Sequence, residues 1–185
     1  MTSKIRARAE SLATLRSISI QLMETLSRWV PATPEMEAKV FFGRHIWDFA
    51  QHADMLGKRT FELRAPLHFT LAPVDGYAKL LGEVSSAETA ADRISYLYDG
   101  LLPGLTARYK AYLEVTDSLL DEPSVMIVGR IVADLARMAN ESYELRAALP
   151  HLSAADKSRS AELALKEAEV RDIASHQLSA HAGGA

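Results

Sequence analysis

His45, Asp48 and His52 are the residues of this sequence whose types and spacing most invite chemistry. They fall in the run GRHIWDFAQHADMLGKRTFELR, and Glu37 lies about two turns upstream of His45 on a helix. Asp48 and His52 stand at i and i+4, and His45 and Asp48 at i and i+3, so each pair shares a helical face. Imidazole and carboxylate side by side are donors for a metal ion. They equally suit a buried histidine hydrogen-bonded to a carboxylate on a neighbouring helix. His45 and His52 are about 10 Å apart along the axis, too far to share one ion at metal–nitrogen distances near 2 Å. They could serve separate ions or separate roles.

The element that must carry them is a helix. At about 100° per residue, Phe42, Ile46, Phe49, Ala53 and Leu56 fall on one face, the pattern of a helix packed into a core, with the two histidines along its edge. Thr33 is the expected N-cap and Pro34 the first helical residue, with Glu35 and Glu37 favourably near the positive end of the dipole. Capping is therefore the plain reading of both glutamates. Before this helix, residues 3 to 30 form a first one, striped by Ile5, Leu12, Leu15, Ser19, Leu22, Leu26 and Trp29 and ended by Pro31 and Pro34. Its acids, Glu10 and Glu24, fall off the stripe and are expected in solvent.

From Ala65 to Val84 the pattern breaks, because Pro66, Pro73, Gly76 and Gly82 leave room only for a short helical turn around Tyr77 to Leu81. Ser85 with Glu88 has capping-box spacing and opens a third helix along Ile94, Leu97, Leu101, Leu105, Tyr109 and Tyr112, which Pro103 should kink. Its tyrosines, Tyr96 and Tyr98 included, read as core or core-edge residues. Asp121 caps a fourth helix along Ile127, Ile131, Leu135, Met138 and Leu145, with Asp134 at the edge of that face. Ser153 and Asp156 start a fifth, rich in Ala, Lys and Glu, that packs outside or reaches a partner. The tail from His181 to Ala185 reads as disordered.

No stretch alternates as a strand does, so the fold class is all-α. Short, long and short connections are the plan of a four-helix bundle with one crossover. It would occupy residues 1–150, with the additional C-terminal helix and tail in 151–185.

Composition removes whole classes of function. The 185 residues carry a net charge of −3 with mixed signs and no basic cluster, so neither nucleic acid nor an anionic membrane is an expected partner. No apolar run approaches the ~20 residues of a membrane span, and the start lacks a secretory core, which makes the cytoplasm the expected location. The absence of cysteine excludes disulfides, thiolate metal sites and cysteine nucleophiles. Glycine-rich phosphate loops, G-x-S-x-G turns and H-E-x-x-H runs do not occur. His68, His151, His176 and His181 lie in connections, the outer helix or the tail.

The helix order, the long central connection, GRHIWDFAQHADMLGKRTFELR and the later DEPSVMIVGRIVADLARM resemble ferritin-like proteins, particularly poorly characterised bacterial members, over roughly Glu37 to Leu145. The resemblance implies a bundle that in many members holds two iron or manganese ions, with a Glu from each of two helices and a Glu-x-x-His from each of the others. This sequence departs from that pattern. The residues three before His45 and His52 are Phe42 and Phe49, and Asp134 is followed by Arg137 and Met138 where the second acid–His pair would stand. The resemblance and a helical wheel together offer Glu37 and Asp134 as completing ligands to His45, Asp48 and His52. Two expectations follow. One is an iron- or manganese-dependent oxidase, oxygenase or metal-handling protein acting on an unidentified small molecule. The other is a metal-free bundle serving as a structural subunit or partner-binding module, a homodimer included, in which the His–Asp stripe sets helix register.

Overall fold

The apolar stripes become the core. Leu12, Leu15, Leu22, Leu26 and Trp29 of the first helix are buried against Phe42, Phe49 and Leu56 of the second, while Ile5 stays partly exposed. Each such side chain taken wholly from water contributes about 1.5–3 kcal/mol. The computed structural model describes residues 2–174. It comprises α1 (Thr2–Trp29), α2 (Met36–Glu62), α3 (Asp75–Ser85) and α4 (Ala90–Ile94), then a π-helical segment (Ser95–Leu101), α5 (Leu102–Val115), α6 (Glu122–Ala148), a 3₁₀ turn (Pro150–Ser153) and α7 (Lys157–Glu169). Among the described residues no strand forms, and the one extended pairing is an isolated bridge between Pro73 and Ala174. Nor is any described helix long and apolar enough to cross a membrane. The tail from His181 to Ala185, and His176, lie outside the described residues.

Contacts give the helix directions. Trp29, at the end of α1, packs on Phe42 near the start of α2, with ring centroids 5.7 Å apart, and Arg16 donates to the Ala53 carbonyl at 3.1 Å, so α1 and α2 are antiparallel. His45 meets Tyr98 of the π segment, while Arg59 meets Asp121, which also accepts from Tyr112 of α5. The α4–α5 rod therefore runs parallel to α2. Residues 63–89, α3 included, carry the chain back along the bundle to allow this. Pairing of Asp48 with Arg137 and His52 with Asp134 sets α6 antiparallel to α2.

Several expected caps are displaced by tertiary contacts. Thr33 does not cap α2: its hydroxyl donates to the Trp29 carbonyl at 2.8 Å and accepts from the buried Arg93 at 3.0 Å, and Glu35 holds the N-cap position. Pro34 accordingly precedes the helix instead of starting it. Ser85 ends α3, its carbonyl accepting from the Trp29 indole at 3.3 Å, and α4 is capped by Thr89, whose hydroxyl accepts from the Asp92 amide at 3.1 Å. The turn expected at Tyr77 is a full helix, α3, burying Tyr77, Leu80, Leu81 and Val84. Glu10, expected in solvent, is 0% exposed. Asp121 does stand at the N-cap of α6, but its carboxylate makes no cap bond. Instead Arg59 at 2.8 Å, Ser124 at 2.6 Å, Tyr112 at 2.9 Å and Thr116 at 2.7 Å all donate to it.

Pro103 acts by widening the rod. Proline has no N–H to donate and its ring collides with the carbonyl four residues back. The chain answers with the π segment, in which the Leu102 amide donates to Leu97, five residues earlier. α7 packs on this segment, placing Leu163 beside Gly100 and driving the buried Glu167 against Gly104. Arg108 donates to the Glu167 carboxylate at 2.5 Å and to the Glu167 and Val170 carbonyls at 2.6 Å, which ties α7 to α5.

A Cβ on Gly104 would collide with the buried Glu167 carboxylate. Gly104→Ala is therefore expected to destabilise the protein by about 1–3 kcal/mol in urea denaturation. Combined with Glu167→Ala, the loss should be clearly less than additive, since the second change removes the obstacle. Strict additivity would refute this packing.

Candidate functional site

α2 positions the site because its apolar face and its polar edge are adjacent. Burying Phe41, Phe49 and Leu56 turns His45 and His52, 0% and 1% exposed, toward α6 and the π segment. A dry imidazole needs partners for its nitrogens. His45 Nε2 lies 3.0 Å from Glu141 Oε2, and its Nδ1 lies 2.5 Å from Tyr98 Oη. An ionised carboxylate only accepts, so Nε2 carries the proton, and the neutral ring then accepts the Tyr98 hydroxyl at Nδ1. His52 Nε2 in the same way donates to Asp134 Oδ2 at 3.2 Å.

Arg137 links these pairs. Its Nη2 is 2.9 Å from Asp48 Oδ2 and 3.4 Å from Asp134 Oδ1, and its Nη1 is 2.9 Å from Glu141 Oε1. The result is one continuous chain, Tyr98–His45–Glu141–Arg137–Asp134–His52, with Asp48 joined at the arginine. Arg44 and Arg130 flank it, 3.9 Å from Glu141 and 4.0 Å from Asp134.

The electrostatics follow from burial and this pairing. Burial pushes the His45 and His52 imidazoles below their ordinary value, against the opposing pull of Glu141 and Asp134 respectively. Burial likewise drives the Tyr98 phenol well above its usual range. For Glu141, desolvation acts upward but is outweighed by hydrogen bonds from Arg137 and His45, which hold the carboxyl low. The hydrogen bond to Asp48, then that to Glu141, raises Arg137. At neutral pH the two histidines are thus neutral, Glu141 is ionised, Arg137 is charged and the Tyr98 phenol is intact.

Of the residues expected from sequence, His45, Asp48, His52 and Asp134 come together in this seam. Glu37 stands apart, exposed on the rim of a groove of about 420 Å³ that Val40, Arg44, Glu141 and Glu144 also line. Among the described residues, no three His, Asp or Glu side chains converge to hold one metal ion. Glu141 and Tyr98 are members that sequence reasoning missed. Glu141 carried a signal: it lies seven residues after Asp134, the spacing of His45 and His52, so the two stripes match in length. Tyr98 carried none, since the π segment aims it.

Because both histidines are depressed in the folded state, protonation favours the unfolded chain as pH falls below about 6.5, each costing up to about 1.4 kcal/mol per pH unit. Stability is complete above that pH and is lost toward the lowered folded values. The melting temperature should therefore drop by several degrees between pH 7.5 and 5.5. A His45→Gln, His52→Gln variant should show a flatter profile over that window, and an unchanged profile would refute the neutral-histidine assignment. Compared with protein-family models, with curated proteins and with solved structures, the chain matches none.

Proposed function

We propose that this chain is a ferritin-like bundle that works without a metal, as a partner-binding module, with Arg137 taking the place of the central cation. The helix directions support the ferritin-like part. α1 and α2 antiparallel, α5 parallel to α2, α6 antiparallel again and one long return between them follow the single-crossover plan.

The observation that carries the metal-free part is the position of the Arg137 guanidinium. It is ion-paired with Asp48, Asp134 and Glu141, the carboxylates that α2 and α6 present to each other. A di-metal bundle needs an acid and an acid-x-x-His pair from its paired helices. In this seam each histidine already donates to a carboxylate, and the third position after Asp134 is the arginine itself. A divalent ion on these oxygens would sit within a few ångströms of a fixed positive charge, a repulsion on the order of several kcal/mol at a half-exposed site. The donor set is a poor match for iron or manganese. Paired polar residues suit a second role, setting the register of α2 against α6, since any one-turn slip would take the buried His45 and His52 from their carboxylates.

Metal content by plasma mass spectrometry on untagged protein, expressed with iron and manganese supplied, tests this. The parent is expected to be well folded and empty. Arg137→His, which puts an imidazole three residues after Asp134, is expected to gain a bound ion. A parent holding about one or two ions per chain, lost in Asp48→Ala, His52→Ala, would overturn the reading in favour of an oxidase or metal-handling protein.

A further inference from the structure

α2 is apolar on two opposite sides. Phe42, Phe49 and Leu56 face the core, while Met36, Val40 and Trp47 are 65%, 55% and 66% exposed. Together with Gly43 these last recur at i, i+4, i+7 and i+11, one narrow stripe at helical spacing. Among the described residues nothing covers that stripe. Gly43 sharpens the point: a Cβ there would meet nothing within 4 Å among the described residues, so no contact among them calls for a glycine in mid-helix, where it weakens the helix relative to alanine. Gly43 lies in a shallow, open hollow of about 500 Å³ that Val40, Trp47, Asp48 and Arg137 also border. It adjoins the groove of about 420 Å³ between Met36, Glu37, Glu141 and Glu144, with Val40 and Arg44 common to both. A small residue between two apolar ones is what close approach of another helix requires.

Charge decides which helix. The two hollows are lined by the carboxylates of Glu37, Asp48, Glu141 and Glu144 against the guanidiniums of Arg44 and Arg137, so acids outnumber bases there. Glu37 and Glu144 stand exposed on the rim. A second copy of this chain, docked about a two-fold axis, would set this acidic rim against itself. We propose that the α2–α6 face docks a cationic amphipathic helix of a partner protein, its apolar side over Val40, Gly43 and Trp47 and its Lys or Arg residues against Glu37 and Glu144. Met36 to Trp47 spans about 16 Å, so the docked segment is about three turns long. Arg44, 61% exposed, marks where that segment carries a neutral or acidic residue.

This deepens the partner-binding reading and rests on it. A failure of the metal-free half would show in metal content, and a failure here shows in the titration below. The probe is a synthetic helical peptide of Leu and Lys at helical spacing, about 14 residues long, beside its counterpart with Glu in place of Lys. Full-length protein is titrated with each and Trp47 emission is followed, with Trp47→Phe reporting the buried Trp29 alone. The Leu/Lys peptide is expected to bind with a blue shift, at least about tenfold tighter than the Leu/Glu peptide, and more weakly as salt rises. Glu37→Lys, Glu144→Lys should invert the preference. Gly43→Leu should abolish binding while leaving the circular dichroism intact and the melting temperature unchanged or raised, which separates a blocked groove from a failed fold. Binding of neither peptide, equal binding of both, or a preference untouched by the charge reversal would overturn the proposal. So would a dimer of the protein alone, seen by sedimentation equilibrium and dissolved by Val40→Asp, which would give the face to a second copy.

Discussion

A single guanidinium, that of Arg137, bridges three carboxylates drawn from two helices, with Arg44 and Arg130 at the edges, and ties α2 to α6. Without it Asp48, Asp134 and Glu141 would stand close together beside two histidines that burial keeps neutral. Like charges at that spacing repel, and partly desolvated carboxylates cannot recover the loss from water. With it, every member of the seam has a partner of the right sign. Such a seam adds little net stability over an apolar one of the same shape. Its consequence is register, because apolar ridges tolerate sliding and paired charges do not.

A second constraint starts from a single proline. Pro103 interrupts the hydrogen-bond ladder of the third long rod, and the π segment that absorbs it re-aims the residues on either side. Tyr98 turns to His45, closing the seam from the far side, and Gly100 and Gly104 present bare backbone to α7. α7 thus meets the bundle where the rod is widest, and its Glu167 is neutralised there by Arg108. One local distortion serves both the buried network and the docking of the last helix.

The interior and the exterior of α2 therefore have different work. Inside, His45 and His52 are buried and each is paired with a carboxylate of α6, with Tyr98 closed to solvent beside His45. Outside, a narrow apolar stripe beside an acidic groove is left to water. The two sides meet at Glu141, which bonds His45 on the inner side and lines the groove on the outer one. A partner helix seated in that groove would further desolvate the outer end of the seam and strengthen its ion pairs.

The residues by themselves determined the helices and their inward faces. The stripes of α1, α2 and α6 are local periodicities that no alternative packing could bury as well, and the all-α class followed from them. The pairing of Asp54 with Lys58 one turn apart was legible in the same way, since helix geometry alone brings the two together. His45, Asp48 and His52 were legible as one polar edge, and Asp134 as its counterpart on α6. Whatever depends on residues far apart in the chain was not legible. Thr33 and Ser85 have the chemistry of caps but are taken by Arg93, Trp29 and Arg28. Glu10 looks like a solvent residue until the bundle covers it. Above all, Arg137 reads locally as the i+3 partner of Asp134, and only the antiparallel approach of α6 gives it Asp48 as well. The physical reason is one of range: helix periodicity and i to i+4 pairing are set by neighbours along the chain, whereas burial and the pairing of charges across helices exist only once the helices have met.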